Sequence, residues 1–75
     1  MPDQILSMYV IYDHPRDFPD NIVVRRFDIG PGWSRPAEVW ALVETLEQAR
    51  EKVPPGLTLL PRDPADDYGI IESWF

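Results

Sequence analysis

Cysteine is absent from this 75-residue chain, histidine occurs once, and lysine and arginine together number seven against thirteen acids. Each shortage closes a class of chemistry. Without cysteine there is no disulfide, no thiolate nucleophile and no sulfur-ligated zinc, a pattern that fits a reducing cytoplasm. With one histidine, the paired-imidazole signatures of zinc sites cannot be written. Ser7, Ser34 and Ser73 have no G-x-S-x-G setting, and His14 alone would have to serve one of them as base. Glycine-rich phosphate cradles are missing too, because GPG at 30–32 carries a proline where an amide donor is required. These absences predict a protein that is not an enzyme and holds no metal and no cofactor.

Long apolar runs are also missing: none approaches the roughly 20 residues of a membrane span. The start, MPDQILS, shows no basic stretch followed by a long apolar one, so no secretory signal is expected. The expected location is cytoplasmic, with no membrane contact. Net charge is −6, and it is unevenly spread. Residues 1–36 hold four bases and five acids, whereas 37–75 hold three bases and eight acids. The basic pair Arg25 and Arg26 is too small a patch for counterion-release binding, so no nucleic acid is expected as a partner.

What the chain does have is an apolar fraction of 44%, aromatics at 12% and nine prolines. That apolar content is enough for a folded core, with the prolines expected in connections. The length fits a single small domain, 1–75, of the kind that is only a few kcal/mol stable and often gains support from a partner subunit.

Along the chain, residues 1–7 read as a flexible leader, with Met8 as an alternative start. MYVIY (8–12) and NIVVRRFDI (21–29) read as strands, and Val23, Phe27 and Ile29 share a parity with Arg25. Between them, DHPRDFPD has two X-Pro steps that bias His14 and Phe18 toward extended backbone and deny a tight two-residue turn. GPGWSRP (30–36) reads as a second connector. The next stretch, AEVWALVETLEQAREKV, supports two readings. One is a long helix over 36–53, with Val39, Leu42, Val43, Leu46, Ala49 and Val53 on one face. The other, preferred, is a strand EVWALV followed by a short helix opened by a Thr45/Gln48 capping box, because five successive apolar residues suit a covered strand. PPG at 54–56 stops the helix. LTLL (57–60) and IIESWF (70–75) read as the last two strands, separated by RDPADDYG. The expected fold is α+β: a two-layer, mostly antiparallel sheet in the order β-β-β-α-β-β with one helix packed on one face. The alternative order is β-β-α-β-β with the long helix.

YVIYDHPRDFPDNIVVRR together with TLEQAREKVPPGLTLLPRDPADDYGIIESW resembles a family of small uncharacterised bacterial proteins. Their shared pattern is a YVIYD-x-P-x-D-x-P start, a VVR strand, a TLE-x-AR helix opening and a P-x-DD…I-x-E-x-W ending. The resemblance covers most of the chain outside GPGWSRPAEVW. It implies a genuine bacterial domain and brings no activity, cofactor or site residue with it.

Four groups are candidates for sites. His14 with Asp13, Asp17 and Asp20 reads as a turn with a solvated histidine, because metal signatures need closer pairs of strong ligands. RDPADD (62–67) reads as a polar turn, lacking the glycine and terminal glutamate of a calcium loop. Arg25 and Arg26 are expected to pair with Asp66, Asp67 or Glu72 across strands. Trp33 either tucks back over the core or, with Arg35, forms an interaction surface, since Trp and Arg are enriched at binding hot spots. Trp33 and Arg35 are therefore the candidate interaction residues, and Trp40, Trp74 and Phe75 are expected in the core or on a sheet face. The function expected is a protein-interaction or regulatory module, its protein partner unspecified, forming a homodimer through an edge strand at the end of the chain. The alternative is a ligand-binding or enzyme-accessory module whose acidic second half binds a cationic small molecule or a basic protein.

Overall fold

The computed structural model describes residues 6–61 and 69–75. Alternating apolar residues set up three long strands in succession: β1 (Leu6–Asp13), β2 (Ile22–Gly30) and β3 (Trp33–Val43). A short helix, α1 (Leu46–Lys52), follows, then β4 (Leu59–Pro61) and β5 (Ile70–Trp74). All pairings are antiparallel and the sheet order is β3-β2-β1-β5-β4. The α+β expectation therefore holds as a five-stranded antiparallel sheet with one short helix.

Period-two alternation divides the sheet into two faces. Tyr9, Ile11, Ile22, Val24 and Val43 lie on one, and Ala49 of α1 packs on them with no exposed surface. Leu46 and Val53, three residues before and four after Ala49, extend the same helical stripe onto the cluster. A methyl group is all that Ala49 places between helix and sheet, so the helix sits close. Val10 and Val23 are equally buried but belong to the opposite face, since Val10 lies across from Arg25 and Val23 from Tyr12.

The helix begins where the sequence places it. Thr45 accepts from the Gln48 N–H at 3.2 Å, and the Gln48 side chain in turn accepts from the N–H of Glu44 at 2.9 Å, one residue earlier than in the usual capping box. Glu47 in the first turn and Arg50 and Lys52 in the last match the helix dipole. The single long helix over 36–53 does not form, because residues 33 to 43 are claimed by β2 through antiparallel pairing from Trp33 to Val43.

Several boundaries differ from expectation. Leu6 and Ser7, assigned to a leader, pair with Ile29 and Asp28 as the first residues of β1; residues 1–5 lie outside the described ones. The connector GPGWSRP shrinks to Pro31-Gly32, with Gly30 opposite Trp33. Proline fixes the first turn residue and Gly32 takes φ +73, the pairing a type II turn demands. Pro36 and Pro61 lie within strands, and both strands are edges, where a missing N–H costs least.

Two irregularities bend β3. Its register to β2 slips between Val24 and Arg25 and again between Arg26 and Phe27, leaving Trp40 and Ala37 as extra residues. The first slip aims Trp40 at the helix side, where it meets Tyr9 edge-on at 5.1 Å and donates its indole N–H to the Lys52 carbonyl at 2.7 Å. Trp40 is thus a cap for the end of α1 and not a core residue, being 41% exposed; Phe75 is 48% exposed.

Ile11 has no exposed surface and belongs to the core cluster that includes Val24 and Ala49. Ile11→Val is expected to cost about 0.5–1.5 kcal/mol and Ile11→Ala about 2–5 kcal/mol, read as urea midpoints by tryptophan fluorescence. An Ile11→Ala midpoint equal to that of the parent would contradict this packing.

Candidate functional site

The β1–β2 connector shows what the histidine and its aspartates do. Phe18 N–H donates to Pro15 O at 3.0 Å, Asn21 N–H to Phe18 O at 3.2 Å, and His14 N–H to Asn21 O at 3.1 Å. Two successive turns are thereby closed by a bond across their base. His14 takes φ 51, so the extended backbone expected of a residue before proline is not adopted. The left-handed turn aims its N–H at Asn21 as the chain leaves β1. Its imidazole bonds to the neighbouring Asp13 carboxylate, while Asp17 turns away to pair with Arg25. That guanidinium holds the Asp17 carboxyl below its usual range. Among the described residues, no three groups of metal-ligating type come together. Ser7, Ser34 and Ser73 lie on three different strands, and none bonds to His14.

The arginines find partners other than those the sequence suggested. Arg25 pairs with Asp17 and lies over the Tyr12 ring at 5.5 Å. Arg26, on the opposite face, donates to Asp28 at 2.9 Å and to Glu38 at 3.0 Å. Asp66 and Asp67, like the rest of RDPADD, fall outside the described residues.

Glu72 is instead taken by the helix. Its carboxylate is buried and accepts from Arg50 Nη2 at 2.8 Å, from Arg50 Nε at 3.1 Å and from the Trp74 indole at 2.7 Å. The fork–fork pair joins α1 to β5, and the Arg50 guanidinium holds Glu72 below the usual carboxylate range against the opposing effect of burial. With both oxygens engaged, this carboxylate is a tie between layers and is not poised to take a proton from a substrate. The sequence carried a signal for it: a glutamate in the middle of IIESWF, an otherwise apolar strand, needs a buried partner.

Trp33 and Arg35 are brought together. They sit two apart at the start of β3, and the guanidinium stands over the indole at 5.1 Å. The ring does not reach the core. It packs against Gly30, where a Cβ would fall 2.2 Å from two ring carbons. Trp33 is 40% exposed, and among the described residues Arg35 makes no ion pair. The two form an exposed, stacked cation–aromatic pair at the tip of the β2–β3 hairpin, pre-set by a glycine that leaves room for the ring.

A shallow cavity of about 450 Å³ opens between the end of β3 and α1, lined by Asn21, Leu42, Glu44, Gln48 and Glu51 among others. Its amides are already used: Asn21 donates to the Val43 carbonyl at 3.4 Å and Gln48 accepts from Glu44.

Compared with protein-family models, with curated proteins and with solved structures, the chain finds no match.

Two expectations follow from this geometry. Since the folded Glu72 titrates below its unfolded counterpart, its contribution is complete above about pH 4.3 and is lost as pH falls through the lower folded value. Glu72→Gln should therefore cost about 1–3 kcal/mol at neutral pH, less than a fully buried pair because Arg50 is half exposed, and progressively less as pH falls through the folded value. A constant deficit across that range in acid-titrated urea melts would refute the tie. At the connector, His14→Gly should be neutral or stabilising by up to about 1 kcal/mol, while His14→Val should destabilise by about 1–2 kcal/mol. Thermal melts in which valine equals glycine would remove the left-handed turn.

Proposed function

We propose that this domain is a non-catalytic, cytoplasmic protein-interaction module that presents the tip of its β2–β3 hairpin to a partner. Its scaffold is the two-layer β-β-β-α-β-β arrangement. The observation that carries the reading is the stacked Trp33–Arg35 pair, exposed on a strand whose residues 33 to 40 are all exposed. Trp and Arg are enriched at binding hot spots, and stacking lowers the ordering cost that a free arginine would otherwise incur. A contact through the last strand has less support, since β5 is flanked by β1 and β4 and Phe75 exchanges both backbone bonds with Thr58. Among the described residues the outermost strands are β3 and β4.

A second reading has one specific observation behind it: Glu44, Glu47 and Glu51 are exposed at and along the outer side of α1, within the acidic second half of the chain. There the domain would attract a cationic small molecule or a basic protein.

The two readings separate in cells by site-specific photo-crosslinking. A photoreactive phenylalanine analogue replacing Arg35 is expected to give a discrete adduct, and one replacing Glu47 none. Adducts from position 47 alone, weakened by salt, would replace the first reading with the second.

A further inference from the structure

Most described arginines of this acid-rich chain find their acids within it. Arg25, Arg26 and Arg50 each meet a carboxylate, and Arg26 takes two. Arg35 does not, although an acid stands directly across the ladder from it. That residue is Asp28, which accepts from Arg26 at 2.9 Å and leaves the Arg35 guanidinium over the Trp33 ring. The indole stands apart in the same way. Trp40 donates its N–H to a carbonyl and Trp74 to a carboxylate, whereas among the described residues Trp33 has no acceptor. Two kinds of donor are therefore unpaired at the tip of the hairpin. Arg16, the other described arginine without an ion pair, lies in the connector at the opposite end of β2 and over no ring.

We infer that the ligand of this pair is a single carboxylate borne by a protein partner, which deepens the hairpin-tip reading and rests on it. A guanidinium stacked by its face on an indole still presents N–H donors at its rim, where a carboxylate accepts two of them at once. The surroundings select the anion. Asp28 lies opposite Arg35, and Glu38 follows on the same strand, so a phosphate backbone would bring its repeated charges against both. A lone carboxylate meets only the free cation. A cationic partner gains little here, because both acids are already engaged by Arg26. The net −6 of the chain is felt weakly at the tip, since Glu44, Glu47 and Glu51 follow the other end of β3. They stand roughly 25 Å from Arg35 at ~3.3 Å per residue, well beyond the ~8 Å screening length at physiological salt.

The test is a selection of short random peptides displayed on phage against the full chain, with counter-selection on Trp33→Ala to keep those that bind at the tip. The peptides kept are expected to share one Asp or Glu. In fluorescence anisotropy of a labelled synthetic peptide, replacing that residue by its amide should raise Kd about tenfold on the parent chain and under about twofold on Arg35→Gln, the mark of a direct pair. Both substituted positions are exposed, so the fold should persist, and far-ultraviolet circular dichroism checks it. Trp33→Thr, a better strand former, replaces Trp33→Ala if that variant fails the check. Tip-binding peptides without a shared acid overturn the inference and leave the hairpin-tip reading standing. So does an amide penalty that is equal on the parent and on Arg35→Gln. A selection in which no peptide distinguishes the parent from the Trp33 variant overturns both.

Discussion

The pairing of β1 with β5 is the constraint on which the other contacts depend. It joins the first described segment of the chain to the last, Tyr9 opposite Trp74 and Ile11 opposite Glu72, and so makes β1 the middle strand. Closing so long a loop is entropically costly, and nothing local assists it. Once closed, it delivers Glu72 to the helix side, and Arg50 has a partner. A seven-residue helix is far too short to persist in water by itself. Here Ala49 gives it a close seat, Arg50 ties its side to β5, and Trp40 caps its end. Two of those ties begin on strands, so the helix is a consequence of the sheet.

The same alternation that builds the core sorts the charges. Arg25 and Arg26 are neighbours in sequence, yet one points to each side of the sheet. Arg25 meets an aspartate from the connector, and Arg26 joins Asp28 and Glu38 along the outer part of the helix-side face, beyond the reach of α1. These surface pairs are each worth about 0.2–1 kcal/mol and specify register more than they stabilise. A one-residue slip of β2 would put Arg25 where Arg26 is and break the pairs to Asp17 and Glu38 while turning Val24 out of the core. Charge and apolar pattern therefore enforce one register together.

Much of this was legible in the sequence, and the exceptions share a cause. Strand alternation, the Thr45/Gln48 helix start and the PPG stop are local signals, and each appears where the residues placed it. The α+β class followed from them. Non-local geometry was hidden. The strand potential of Trp33 to Pro36 was masked by flanking glycine and proline, because a two-residue turn at Pro31-Gly32 was not separable from a longer connector. The Arg50–Glu72 tie needed the sheet order, which no local pattern states. His14 was misread for a different reason: the rule for residues before proline is a steric bias, and a backbone bond to Asn21 outweighs it. Trp33 and Arg35 were visible as a candidate pair because a large ring in a glycine-proline stretch has an arginine two residues away; that both lie on one side of a strand emerged only with the β2–β3 pairing.

The edges of the sheet are poor templates for an added strand. β4 is three residues long and ends at a proline, and β3 carries Pro36 and two register slips within its eleven residues. Short edges, prolines and bulges are the devices by which sheets avoid indiscriminate pairing, since each removes or misaligns the donors that an incoming strand would require. A chain of this size has little stability to spare and could not tolerate a partner that peels its edge. With edges this short and irregular, specific surface chemistry is left to side chains. The stacked indole and guanidinium on Gly30 are an exposed pair of that kind at the hairpin tip.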